Sequence, residues 1–201
     1  MRVGVLALQG GFGAHGEALR AWGHEASEVR SVAELDRVEG LVLPGGESSV
    51  QLKLLERHGL ESALDTFVRS GRPVLATCAG LILAARRVRD PVQRSFGWLD
   101  IEVRRNAYGR QRESFEARAD EPGWGRGLPL VFIRAPRIIE VGREVEVLAT
   151  LAGEPILVRQ GALFGATFHP ELTRDGRVVE RVFGAGVNIP SEPASTSAAS
   201  S

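Results

Sequence analysis

Apolar residues fall in unbroken runs in the first half of the chain and in short, interrupted ones in the second. Residues 3–8 are apolar throughout and stop at Gln9-Gly10-Gly11, the pattern of a strand buried on both faces of a parallel sheet that runs into a loop. A helix is expected next, from about residue 13 to 22. Residues 40–44 form a second such run, closed by Pro44-Gly45-Gly46, after which 50–57 and 60–69 carry apolar residues at helical spacing. Residues 73–77 are a third run, followed at once by Cys78-Ala79-Gly80 and an apolar stretch, 81–88, that reads as helix. Alternating strands and helices predict an α/β fold with right-handed crossovers. From about residue 95 the runs shorten: 99–103, 114–118, 130–134, 145–151, 155–159 and 163–168 are separated by Gly and Pro and read as hairpins and mixed-sheet strands. A last short helix is expected at 178–183. Beyond Pro190 only small and polar residues dominate, so residues 190–201 are expected to be a disordered tail on a single domain of residues 1–189.

Composition narrows the function classes. A length of 201 residues suits about one domain at roughly 150 residues each, and 43% hydrophobic residues suffice for a core. Basic and acidic residues balance at 25 each, without the cationic excess that phosphate-dominated binding needs, so nucleic acid is an unpromising partner. Lys53 is the lone lysine beside 24 arginines, which reads as compositional bias. No run approaches the roughly 18 apolar residues of a membrane span, and the N-terminus lacks a signal peptide's apolar length and cleavage site. With one thiol and no export signal, a cytoplasmic location is expected. A single cysteine excludes intramolecular disulfides and Cys-rich metal sites.

That cysteine is placed for chemistry. A free Cys is often mere packing, but Thr77-Cys78-Ala79-Gly80 sets the thiol between a strand and a helix among small residues, as in a nucleophile elbow. An unperturbed thiol is only a few per cent ionised at neutral pH, so it needs a base. Of the four histidines, His24 and His58 are expected at the surface, and His15, at the start of the first helix, is a cap or a contact. His169 differs. Pro170 forces it into extended backbone, where Glu171, two residues on, faces the same side and can orient the ring. Nucleophile, base and orienter then follow triad logic; an isolated His-x-Glu is otherwise an ordinary loop feature. A third element, Leu43-Pro44-Gly45-Gly46-Glu47-Ser48-Ser49, ends another strand, where open α/β sheets bind ligands and two glycines admit close backbone approach.

Taken in order, Pro44-Gly45-Gly46-Glu47-Ser48, Thr77-Cys78-Ala79-Gly80 and Phe168-His169-Pro170-Glu171 resemble the triad glutamine amidotransferases. Leu6-Ala7-Leu8-Gln9-Gly10, the stretch from Arg105 to Gln111, Ser114-Phe115-Glu116 and Val131-Phe132-Ile133-Arg134-Ala135-Pro136 narrow the resemblance to the glutaminase subunits of two-protein pyridoxal 5′-phosphate synthases. It covers residues 1 to about 185. The resemblance implies a flavodoxin-like, class I glutamine amidotransferase fold, an open mixed sheet flanked by helices. It implies Cys78, His169 and Glu171 as catalytic residues and the N–H groups of Gly46 and Ala79 as the oxyanion hole. Gly46, Glu47, Ser48, Arg105, Ile133 and Arg134 are the implied glutamine-binding positions. It brings no cofactor and no metal. L-glutamine would be the substrate, and a separate barrel-type synthase subunit, in a large hetero-oligomer, would take the ammonia and activate the glutaminase. Ala76 stands where the family commonly has glycine, and Ser49 where threonine is usual. Two other readings remain: a DJ-1-like cysteine hydrolase or deglycase, and a non-catalytic regulatory subunit.

Overall fold

A computed structural model describes residues 1–105, 114–121 and 124–186, with backbone alone at 120, 121, 125 and 126. The segment 106–111, part of the resemblance, and the expected tail 190–201 lie outside the described residues. In chain order the elements are β1 (Arg2–Leu6), α1 (Phe12–Ala21), β2 (Glu25–Val29), α2 (Val32–Leu35), β3 (Gly40–Leu43), α3 (Ser48–Arg57), α4 (Glu61–Arg69), β4 (Val74–Thr77) and α5 (Ala79–Ala84). There follow β5 (Ala85–Arg89), β6 (Leu99–Arg104), β7 (Ser114–Glu121), β8 (Gly125–Ile133), β9 (Arg137–Val141), β10 (Glu146–Leu151), β11 (Glu154–Gln160), β12 (Leu163–Ala166) and α6 (Arg177–Phe183).

Among the described residues, seven strands make the main sheet in the order β10-β11-β12-β4-β3-β1-β2. The stretch from β12 to β2 is parallel, with Val5 beside Val42, Val42 beside Leu75 and Ala76 beside Gly165; β11 and β10 continue it antiparallel. Read from β2, this is the 2-1-3-4-5 order of flavodoxin-like sheets, with its switch point between β1 and β3. Side-chain alternation explains the two-sided core. Leu41, Leu43, Val74 and Ala76 pack with Leu55, Leu64, Phe67 and Leu81 from the helices on one face. Val3, Val5, Val42 and Leu75 pack with Leu19, Val179, Phe183 and the β8 residues Leu130 and Phe132 on the other. No helix among the described residues is long and apolar enough to cross a membrane.

Three stretches depart from the sequence expectations. Residues 81–88 are not one helix: α5 ends at Ala84, and β5 starts a second small sheet, β5-β6-β9. The cause is the change from Leu81-Ile82-Leu83-Ala84, wholly buried, to Arg86, Arg87 and Arg89, which are exposed and pair with Asp100, Glu102 and Glu140. β2, α2 and β9 were not expected. β2 is an edge strand that pairs with β1 alone, so its Glu25 and Glu28 are tolerated and no apolar run marks it. His24, expected at the surface, is buried edge-on to Phe183, whereas His58 is exposed.

Candidate active site

The carboxyl ends of β1, β3, β4 and β12 converge on a cavity of about 260 Å³, slightly below the common range of ligand pockets, roughly 300–1,000 Å³. Cys78 leaves β4 with φ 47° and ψ −101°, a conformation that L-residues rarely adopt. Gly80 makes this turn feasible: a Cβ there would stand 2.1 Å from the Leu43 carbonyl oxygen, so only glycine lets α5 lie this close to β3. Ala76 is fully buried among the apolar residues of the α3–α5 face, and the elbow forms with it in place.

His169 follows β12 with φ −109° and ψ 85°, outside the helical region that Pro170 disfavours but short of the extended backbone expected. Pro170–Leu172 then winds into a 3-10 turn, so Glu171 curls back to the ring instead of lying beside it on a strand face. Its Oε1 is 2.7 Å from His169 Nδ1. The His169 N–H donates to Val131 O at 2.8 Å, tying the turn to β8. Cys78 and the imidazole face each other across Gly45: a Cβ on Gly45 would lie 2.5 Å from His169 Cε1 and 3.4 Å from Cys78 Cβ. Burial alone would lower the His169 pKa, but the Cys78 sulfur and the Glu171 carboxylate outweigh it and raise it to about 10. Burial pushes Glu171 upward, yet His15 and His169 hold it below the usual carboxylate range.

The cavity lining includes Gly46, Glu47, Ser48, Arg105, Ile133 and Arg134 along with Cys78, His169 and Glu171. Every expected site residue except Ala79 is therefore brought to one place; Ala79 is buried in the first turn of α5, directly after the thiol, and does not line the cavity. Glu47 caps α3, accepting from Ser49 N and Ser49 Oγ, and its Oε1 also accepts from Arg105 Nη2 at 2.9 Å. These bonds, set against its partial burial, keep Glu47 below the usual carboxylate range.

Several contributors escaped the sequence reading. Gln93 Oε1 accepts from Ser48 Oγ at 2.9 Å and from Arg105 Nη1 at 2.7 Å, joining two expected glutamine-binding residues. Gln9 Oε1 accepts from Glu47 N at 2.9 Å, and Gln51 Nε2 donates to Gln9 O and Pro44 O, stitching the loop after β1 to the loop after β3. A polar side chain at the switch-point end of β1 was the available signal for Gln9. His15 is a buried contact, while Gly11 occupies the N-cap of α1.

Residues 5–187 match the SNO glutamine amidotransferase family. The chain belongs to that family. It is 49% identical over 179 residues to the pyridoxal 5′-phosphate synthase subunit PdxT of Geobacillus thermodenitrificans, covering 89% of this chain and 92% of that protein. The protein of the same name from Koribacter versatilis is 53% identical over 180 residues, 90% of this chain and 93% of its own. A solved structure described as a glutamine amidotransferase matches with a TM-score of 0.84 at 45% identity, over 90% of this chain and 96% of that one. The PurLQS structure from Thermotoga maritima, at 17% identity and a TM-score of 0.68 over 90% of this chain and 96% of that one, shares the fold. The mixed sheet flanked by helices is the family's class I architecture, as the motifs implied.

Proposed function

We propose that this chain is the glutaminase subunit of a pyridoxal 5′-phosphate synthase. It hydrolyses L-glutamine to L-glutamate and ammonia, and passes the ammonia to a barrel-type synthase subunit that joins it to ribose 5-phosphate and glyceraldehyde 3-phosphate. Residues 1–189 form the glutaminase domain. The observation that carries the chemistry is Cys78 in its elbow, facing an imidazole that a buried carboxylate grips at 2.7 Å. The names of the relatives support the assignment to this synthase.

Cys78 Sγ, whose proton His169 already holds as the imidazolium, attacks the side-chain carboxamide carbon of glutamine. Glu171 keeps Nδ1 engaged, so Nε2 is the nitrogen that carries that proton. The negative oxygen of the tetrahedral intermediate is received by the backbone N–H groups of Gly46 and Ala79, where one donor is typically worth about 10²–10³ in rate. His169 returns the proton to the departing nitrogen, ammonia leaves, and a γ-glutamyl thioester remains on Cys78. Water, deprotonated by His169, then releases glutamate and frees Cys78. Arg105 and Arg134 supply charge for the substrate's α-carboxylate, with Glu47, Ser48 and the Ile133 backbone completing the site. A non-catalytic subunit would have no use for an assembled Cys-His-Glu set in a cavity of this kind.

The test is glutamate release from L-glutamine by the purified chain, alone and with the synthase subunit. Turnover that rises with the synthase and falls by roughly 10⁴-fold or more in Cys78→Ala is expected. Undiminished turnover in Cys78→Ala removes the assignment.

A further inference from the structure

Glu171 has two oxygens, and the triad uses one of them. Oε1 binds His169 Nδ1, while Oε2 lies 3.3 Å from His15 Nε2 on α1. Both side chains are nearly inaccessible, at 3% for His15 and 2% for Glu171. The same His15 nitrogen is 3.1 Å from Oγ1 of Thr77, the residue before the nucleophile, which is itself fully buried. A carboxylate oxygen only accepts, so Nε2 is assigned as the protonated nitrogen of a neutral ring; its hydrogen bond is with Thr77 Oγ1, while Glu171 Oε2 lies beside it, outside hydrogen-bond geometry and with no hydrogen-bond partner among the described residues. Burial, the largest influence on His15, lowers its pKa and keeps that ring uncharged at neutral pH.

We propose that His15 is a positioning residue for the triad, holding the second oxygen of Glu171 against β4 so that the first stays aimed at His169. The inference rests on the glutaminase reading, since positioning matters only if the triad works. Without His15, the buried Oε2 loses the polar N–H beside it, burial raises the Glu171 pKa, and His169 loses its anchor as pH falls. The charged and titratable groups around Glu171 are His15 from α1, His169 from its own turn, and Cys78, Glu47, Arg105 and Arg134 across the cavity.

Because Cys78 is the sole cysteine, its alkylation by iodoacetamide against pH reads the triad without requiring turnover. In the full-length chain with its synthase, His15→Leu is expected to lower kcat about ten- to hundredfold with KM changed by less than about twofold. It should also move the acid limb of Cys78 alkylation to higher pH. His15→Gln, whose amide reaches the Nε2 position, should restore most of both. His15→Asn, which falls short of Glu171, should behave like His15→Leu and carries the test if that variant does not fold. An alkylation profile unchanged in His15→Leu and His15→Asn, with any loss of rate tracking a fall in Tm, overturns the inference. A wild-type chain that releases no glutamate defeats the glutaminase reading instead, and the alkylation profiles still decide the role of His15.

Discussion

The cavity has two unlike walls. On one side, Cys78, His169, Glu171 and His15 are buried, each with at most a tenth of its side chain or residue surface exposed. They stand at the ends of parallel strands or on the first helix, whose backbones are fixed by the main sheet and its two cores. On the other, Ile133 and Arg134 are exposed, Glu47 is half-buried with 46% of its side chain open to water, and Arg105 is held by side chains from distant loops. The difference separates two tasks. Proton transfer demands fixed distances in a dry site, which rigid strand ends provide. Admitting and releasing a small zwitterion demands an open rim with charges that water still reaches.

If this division is right, damage to the buried wall acts on kcat and damage to the rim acts on KM. Among variants that keep the nucleophile, the largest effect is expected from Glu171→Gln, which keeps the shape but removes the charge that orients His169; kcat should fall roughly 10²–10⁴-fold. The same variant tests the electrostatics. His169 has a folded-state pKa raised to about 10 from 6.5, so its contribution to stability is complete below about pH 6.5 and is lost as pH rises toward 10. Wild-type Tm should therefore decline across that window, and the decline should be shallower in Glu171→Gln. Equal slopes would mean that the carboxylate does not hold the imidazolium. Gly45→Ala comes next. Its Cβ would meet His169 Cε1 at 2.5 Å and force the ring away from Cys78, and a displacement of about 1 Å can cost 10² in rate. Steady-state kinetics should show the loss in kcat, with KM nearly unchanged; a KM effect alone would erase the distinction between the walls.

The same division governs what could be read from the sequence. The buried wall was largely legible because its parts are contiguous backbone devices: Cys78 and Gly80 in one turn, His169 and Glu171 about one proline, Gly45 and Gly46 after a buried run. The parallel strands β1, β3 and β4 were legible for a related reason, since strands covered on both faces leave unbroken apolar runs. What was missed depends on long-range contact or on half-polar patterns. His15 meets Thr77 across 62 residues and Gln93 meets Ser48 across 45, separations at which side-chain pairing leaves no periodic trace. β5 was hidden because a buried helix and the strand after it form one apolar-rich stretch, and the break shows only as arginines that seek the acids of β6 and β9. Even for Glu171, expected beside His169, the reason for the contact differed: a 3-10 turn, not strand alternation, brings it there.

The rim gives the smaller predictions, and they are the sharper ones because they must leave chemistry intact. Arg105 donates through Nη1 to Gln93 and through Nη2 to Glu47, so its guanidinium is fixed before substrate arrives. Replacing it with leucine removes a charge-assisted contact of about 1.5–3 kcal/mol, which corresponds to a KM rise of roughly ten- to hundredfold if the contact is equal in ground and transition states. Gln93 touches the arginine and Ser48 at once but does not line the cavity. Gln93→Leu leaves both donors in place and only frees them, so the cost is side-chain ordering, about 1 kcal/mol, or a KM increase of roughly fivefold. Measured for the glutaminase reaction in the assembled synthase, kcat should stay within about twofold of wild type in both variants. A fall in kcat that exceeds the rise in KM for Gln93→Leu would mean that Arg105 and Ser48 act on the transition state, and that the open rim shares in the work assigned to the buried wall.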